Sequence, residues 1–415
     1  MTKFLDKTMK VLFIAGLYPI GSESYYNSAL KRGSLANPSN VYQWGVVEGL
    51  LANNIDVEVC SFPFLPTYPS GYKFTKTREE DIIFQNTKIG RAYSYNTIPG
   101  IKEIDIICKL KKVIKHWILT FSESEKGYIL IYSLYGPFLN ASISTSTNYD
   151  RIKVCPIVTD LFISSIGVLR SYPFLKKIQG VFEYGMIKRG LKKADTFVLL
   201  AKAMVKYVPR AINNHVIIEG IAGNGFPKPK TKRASVEKSL LYTGSLGVHT
   251  SIKELVDAFM MTSDKSFRLL ICGTGYYETY IREMSQKDNR IVYKGSVPRE
   301  EAVRLQQSST VLINPRLPSI PDTPYSFPSK TIEYLASGTP MIGYRLVGIT
   351  QDYYEFFYIP KDETKEALSE LINEVLNTPQ EILDQKALDS WEFITSQKTS
   401  FKQIKKLVDY LMTLQ

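Results

Sequence analysis

The sequence predicts an α/β protein of two doubly wound domains facing one another across a cleft. Three observations carry this. Apolar strand-like runs alternate with helical patterns twice over, and a stretch poor in apolar residues separates the two series. The 415 residues, 44% of them hydrophobic, also exceed the roughly 250–300 residues that a single core organises. The pattern places a first domain at 1–222, a linker at 223–239 and a second domain at 240–390, leaving 391–415 after it.

In the first domain "KVLFIAGLYPIG" reads as an opening strand entering a loop, where Gly16, Pro19 and Gly21 let the backbone approach a ligand. "SNVYQWGVVEGLLANN" follows as a helix with Ser39 or Asn40 as N-cap, and "IDVEVCSF" as the second strand. Further strands are predicted at "YILIYSLYG", "RIKVCPIVTDLF", "DTFVLLA" and "HVIIEGI". Continuous rather than alternating apolar runs mark strands covered on both faces, as in a parallel sheet between helices. The Gly, Pro and Lys of "AGNGFPKPKTKRASVEKS" suit a linker.

The alternation then restarts. "LLYTGSLG" and "FRLLICGTG" read as strands with tight loops, each followed by a helix ("SIKELVDAFMMT", "YYETYIREMSQ"). "RIVYKGSVP" is a strand, "REEAVRLQQSS" a helix, "TVLINPR" a strand, and "SFPSKTIEYLASGTPMI" the next helix and strand. In such sheets ligands sit at the carboxyl ends of the strands.

Composition narrows the function classes. Cys60, Cys108, Cys155 and Cys272 lie far apart in apolar runs, so they read as buried thiols in a reducing compartment rather than a disulfide framework or metal site. No apolar run is long enough to span a membrane, and the N-terminal apolar stretch fits a strand better than a signal sequence, so a cytoplasmic, soluble protein is expected. The net charge of +12 is uneven: residues 1–222 hold 28 Lys and Arg against 17 Asp and Glu, the remainder 24 against 23. The basic stretches at 101–119 and 172–197 suit contact with an anionic membrane or a phosphate-bearing partner; ordinary solvated helix faces with Lys lying over the core are the other reading. No nucleic-acid-binding motif accompanies the charge, so nucleic acid is not an expected partner.

The chemistry-bearing loops fall at strand ends of the second domain: "TGSLG" with Gly244, Ser245 and Leu246, "CGTGYY" with Gly273, Thr274 and Gly275, and "KGSVPREE" with Val297. Each Gly removes side-chain bulk where backbone can approach a nucleotide, and each loop feeds a helix whose N–H groups favour anions. Any one of them alone reads more readily as a turn than as a ligand contact; three in register, followed by "NPR" and "SFPSK", point to a site. In "PYSFPSKTIEYLASG", comprising Tyr325, Ser326, Phe327, Pro328 and Ser329 ahead of Lys330, Pro328 suits a first helical turn with Ser326 as N-cap. Lys330 and the helix start would neutralise a diphosphate, while Glu333, one turn on, would accept hydrogen bonds from ribose hydroxyls. The alternative is an ordinary helix buried through Ile332, Leu335 and Ala336, capped by Gly338, with Lys330 and Glu333 a solvated pair. A Lys at the positive end of a helix dipole nevertheless asks for a partner.

The order "YTGSL", "ELVDAF", "LLICGTG", "YKGSVPREEAVRLQQSSTVLINPR", "SFPSKTIEYLASGTPMIGY" resembles the C-terminal domain of the retaining GT-B glycosyltransferases of the bacterial capsule and exopolysaccharide type, a family-four-like group. The first half is similar more faintly, in "VLFIAGLYP", "CPIVTDLF" and "DTFVLLAKAMVKYV". The resemblance implies two Rossmann-like domains of GT-B type, a nucleotide-sugar donor held mainly by the second domain, a glycan or lipid-linked acceptor held mainly by the first, no metal, no cofactor beyond the donor co-substrate, and a terminal helix at 391–415 that crosses back to the first domain. Glu333 matches the second Glu of the family's E-x7-E motif, which implies a ribose contact. The first position is Tyr325, with Asp322 the nearest acid. Two cations that relatives place on the diphosphate fall at Ser245 and Thr250 here, so Lys330 and Arg316 are the substitutes, and Val297 stands where relatives read the base. In the first domain Asp160, ending "CPIVTD", is the candidate for orienting or deprotonating an acceptor hydroxyl, with a turn Asp as the alternative. His249 lies at a donor loop without a visible partner, while His116 and His215 carry no signal. Two other functions stay open: a scaffold that keeps the fold without turnover, and a nucleotide-sugar epimerase or hydrolase.

Overall fold

The computed structural model describes residues 9–31, 37–122, 125–161, 174–223, 226–229 and 238–414. The chain forms two compact units, residues 1–221 with 400–415 and residues 222–399.

The first unit is built on an eight-stranded sheet of β1 (Lys10–Ala15), β2 (Asp56–Ser61), β3 (Glu80–Phe84), β4 (Thr87–Ala92), β5 (Gly127–Tyr132), β6 (Ile152–Val158), β7 (Phe197–Leu199) and β8 (His215–Ile217), in the order β3-β4-β2-β1-β5-β6-β7-β8. All pairs are parallel except β3–β4. Every residue of β5 and all but the first of β1 is buried, the signature of central strands covered on both faces. Its helices are α1 (Glu23–Ala29), α2 (Asn37–Ala52), α3 (Ile101–Ile118), α4 (Gly136–Ser146) and α5 (Phe174–Lys193).

The second unit carries a six-stranded, wholly parallel sheet, β9 (Lys238–Thr243), β10 (Phe267–Cys272), β11 (Ile291–Gly295), β12 (Val311–Asn314), β13 (Met341–Gly343) and β14 (Phe357–Tyr358), ordered β11-β10-β9-β12-β13-β14. Helices α6 (Ile252–Met260), α7 (Glu278–Lys287), α8 (Arg299–Ser308), α9 (Lys330–Ala336), α10 (Lys365–Asn377) and α11 (Gln380–Gln397) connect and cover it. The order reverses at β9, which pairs with β10 on one side and β12 on the other; such a switch opens a crevice at the carboxyl ends of the strands.

The last helix, α12 (Ser400–Thr413), belongs to the first unit. Ile404, Leu407, Val408 and Leu411, spaced as one helical face, join the core beside β1 and α2. Polar ties add to this: Gln403 Nε2 donates to the Gly220 carbonyl and the Tyr128 hydroxyl to that of Leu411, both at 2.7 Å.

Several sequence expectations are corrected. The first long helix starts at Asn37, so Ser39 and Asn40 lie inside it, and Asn40 Oδ1 accepts from the Tyr18 N–H instead of capping. Helix α1 and the β3–β4 hairpin were not foreseen. That hairpin turns on Gln85 and Asn86, both at positive φ, where the stronger Asn-Gly or Asp-Gly signal is absent. The terminal helical pattern at 391–415 is two helices broken at Lys398–Thr399, where the Lys398 carbonyl accepts from the Ala222 N–H and its ammonium pairs with Asp352. Cys60, Cys155 and Cys272 are buried, but Cys108 is exposed on the outer face of α3. Of the linker, residues 224–225 and 230–237 lie outside the described residues, and 238–239 already belong to β9.

Candidate functional site

The carboxyl ends of β9, β10 and β11 are stitched into one surface. Gly244 N–H donates to the Cys272 carbonyl, Leu246 N–H to that of Thr274, Tyr277 N–H to that of Leu246, and Gly273 N–H to that of Gly295, at 2.7–3.0 Å. The N–H groups of Gly244, Leu246 and Gly273 thus lock the loops to one another. Side chains reinforce the lock: the Tyr242 hydroxyl donates to the Ser245 carbonyl at 2.6 Å and the Tyr293 hydroxyl to that of Gly273 at 2.8 Å.

The glycines permit this closeness. A Cβ on Gly273, whose φ is +139°, would lie 1.8 Å from the Gly244 carbonyl oxygen, and one on Gly275 would lie 2.7 Å from the Leu246 carbonyl carbon. Gly244 differs, because what covers it is a side chain. A Cβ there would meet Lys330 Cε at 2.2 Å and Nζ at 2.3 Å. The same ammonium stands 5.1 Å from the centroid of the Tyr242 ring, a cation–π distance. Lys330 is therefore bent over the first strand-end loop and held there by an aromatic face.

Helix α9 begins at Lys330 rather than at Pro328. Ser326 ends a 3-10 turn, Thr323–Tyr325, in an extended conformation, and Ser329 takes the N-cap position without a side-chain cap bond. The segment is anchored by Phe327, buried against the Tyr353 ring at 5.6 Å. Tyr325 is half-buried and its N–H donates to the Asp322 carbonyl at 3.2 Å. Arg316 Nε donates to Thr323 Oγ1 at 2.9 Å, tying the segment after β12 to the same turn.

Behind Lys330 runs a polar network that sequence reading missed. Gln306, wholly buried on α8, donates through Nε2 to Glu333 Oε1 at 2.6 Å and to Thr243 Oγ1 at 3.0 Å. The Tyr334 hydroxyl accepts from the Thr243 N–H at 2.9 Å and lies 3.1 Å from both the carbonyl and the hydroxyl oxygen of Thr243. Burial pushes the Tyr334 hydroxyl well above its usual range, so it stays a neutral donor and acceptor. Thr339 Oγ1 closes the network on the Gln306 carbonyl at 2.7 Å. The available signal was a Gln next to Leu305 on the buried face of α8, where an apolar residue is usual.

The structure thus joins Gly244, Ser245, Leu246, Gly273, Thr274, Gly275 and Lys330 by direct contacts, with Glu333 one turn beyond Lys330 and linked through Gln306 to the end of β9. Val297, half-buried, follows the end of β11. The two first-unit candidates are placed differently. Gly16 is buried, with its N–H donated to Gln43 Oε1 at 2.7 Å, and Asp160 is exposed two residues past β6. Among the described residues no three His, Cys, Asp or Glu side chains cluster as metal ligands. The assembly offers a cation over a locked loop surface, one turn from a carboxylate held by one oxygen. That chemistry suits a phosphate-bearing ligand with neighbouring hydroxyls.

Residues 237–378, which contain every second-unit element just described, match the model of a family described as glycosyl transferases group 1. No curated protein matches the chain. Among solved structures, the sucrose-phosphate synthase of Thermosynechococcus elongatus superposes with a TM-score of 0.62 at 16% identity, covering 98% of this chain and 100% of that one. HepE of Anabaena in complex with UDP and glucose gives 0.60 at 12% identity, with 98% and 100% covered. A variant of S. aureus TarM in complex with UDP and α-GlcNAc-glycerol gives 0.59 at 10%, with 97% and 99% covered. These likenesses show the fold, which is GT-B.

Proposed function

We propose that this chain, a GT-B protein whose residues 237–378 match the model of the glycosyl transferases group 1 family, is a retaining glycosyltransferase that moves a hexose-type sugar from a nucleotide-sugar donor to a glycan or lipid-linked acceptor of a surface polysaccharide. The observation that carries the reading is Lys330 bent over Gly244 beside the Gln306-held Glu333. UDP in HepE and TarM supports a nucleoside diphosphate as the common ligand of this fold.

In this reading the diphosphate lies on the strand-end loops, and Lys330, with Arg316, bears its negative charge. Cleavage of the bond from the anomeric carbon to the phosphate oxygen builds positive charge on the sugar and negative charge on the leaving phosphate. Preorganised cations there lower the barrier most, because they do not reorganise as charge develops. The acceptor oxygen bonds to the anomeric carbon on the leaving-group side, and its proton passes to the departing phosphate oxygen. No side-chain nucleophile and no metal are required. Glu333 accepts from the ribose hydroxyls, Val297 lies at the base, and Tyr325, with Asp322 beside it, meets the donor sugar. The acceptor is assigned to the first unit, with Asp160 orienting its hydroxyl. Exposed Lys112, Lys115, Ile104 and Leu119 on and after α3, and Phe182, Lys192 and Lys193 on α5, give that unit a surface of mixed cationic and apolar character for an anionic membrane.

Incubation with a panel of nucleotide sugars tests the proposal. Release of nucleoside diphosphate, with thermal stabilisation by the same nucleotide, is expected, and the absence of both across the panel contradicts it.

A further inference from the structure

We infer that Gln306 is a positioning residue that sets the ribose contact, fixing the Glu333 carboxylate so that its second oxygen meets the sugar hydroxyls. The inference rests on the reading of Glu333 as the ribose acceptor and deepens it.

Glu333 lies in the first turn of α9, half-buried, with a side chain that has three rotatable bonds. Left to itself such a carboxylate samples several orientations, and each must be given up on binding. Gln306 removes that freedom. Its Nε2 group has two hydrogens; one reaches Glu333 Oε1 at 2.6 Å and the other Thr243 Oγ1 at 3.0 Å. A primary amide supplies both donors from one nitrogen without adding a charge, which an ionised carboxylate cannot do because it only accepts. Thr243 is the last residue of β9, directly before Gly244, and its hydroxyl is fixed in turn by Tyr334. The carboxylate is thereby referenced to the same strand end that Lys330 covers, so one rigid element sets the spacing between the diphosphate cation and the ribose acceptor.

The arrangement carries a cost that a purely structural glutamine would avoid. Gln306 is fully buried, and its Oε1 has no hydrogen-bond partner among the described residues. A buried, half-satisfied amide is unfavourable where an apolar residue would fill the same space. The bonds that Nε2 makes to Glu333 and Thr243 offset that cost.

The test compares UDP with 2′-deoxy-UDP, and GDP with 2′-deoxy-GDP, by calorimetric titration of the full chain. The wild type is expected to prefer the ribose form by about tenfold, the loss of one hydrogen bond to a charged group. In Gln306→Met, which keeps the volume without the donor, the preference should fall towards unity while the deoxy form binds within about twofold of wild type. A merely structural role would weaken both forms alike and keep their ratio, which overturns the inference. Gln306→Glu supplies the check if the Met variant does not fold: two carboxyls face each other there, so ribose preference should persist at low pH, where they share a proton, and vanish as pH rises. A pH-independent ratio in that variant also overturns it. Failure of the wild type to bind either ribonucleotide sinks the underlying reading of the site, whereas binding with an unaltered ratio in the variants sinks the role of Gln306 alone.

Discussion

Each sheet has a glycine just past its first strand, and the two meet different neighbours. Gly16, after β1, is closed by an aromatic ring: a Cβ there would lie 2.3 Å from Phe64 Cδ2, its N–H is taken by Gln43, and the Ser61 hydroxyl donates to the nearby Leu17 carbonyl at 2.7 Å. Gly244, after β9, is closed by an ammonium on a flexible stem. The first loop is sealed by rigid, uncharged packing, the second covered by a charge that can swing aside. A strand-end glycine therefore reports that something approaches, and the approaching group decides whether the loop is core or site.

The largest expected effect that separates the two is on ligand affinity. Lys330→Met should lower nucleoside diphosphate affinity by roughly 2–3 kcal/mol, the worth of a charge-assisted contact, with the urea midpoint unmoved. Gly16→Ala should do the reverse, costing about 2 kcal/mol of stability from overpacking against Phe64 and leaving nucleotide affinity alone. Equal loss of affinity in both variants would erase the distinction between the loops. Gln43→Leu should cost about 1 kcal/mol by orphaning the buried Gly16 N–H, read from the same urea curves.

The smallest effect concerns the staple beyond the Gly16 loop, where Arg78, Ser22 and Tyr26 all donate to Glu80. Burial pushes the Glu80 carboxyl up, but these hydrogen bonds outweigh it and hold the group below its usual range. A carboxyl lowered by folding adds stability that is fully present above its unfolded pKa and is lost as pH falls through the folded value. The acid limb of a stability-against-pH curve should therefore be shallower in Glu80→Gln than in wild type.

The contrast also shows what the sequence disclosed. Parallel sheets were legible because β1, β5, β9 and β10 are apolar runs separated by helical periodicity. The strand-end loops were legible from their glycines. The hairpin of β3 and β4 was not, since "FQNT" lacks a strong turn dipeptide and the strands sit at a half-polar edge. In the site, Lys330 stood out as a cation against a helix dipole and Glu333 through its spacing from it. Gln306 did not, because its role depends on α8 lying against α9 and β9, a long-range fact that no local pattern encodes. The committed N–H groups of Gly244, Leu246 and Gly273 were hidden for the same reason: which carbonyl an amide finds is set by the neighbouring strand end.

The most direct measurement is a crystal structure of the full chain with UDP or GDP bound. The diphosphate is expected against the Gly244 loop within hydrogen-bond distance of Lys330 Nζ, and the ribose hydroxyls on the second carboxylate oxygen of Glu333. Nucleotide bound elsewhere, with Lys330 still resting over Gly244 and Tyr242 at saturation, would contradict it.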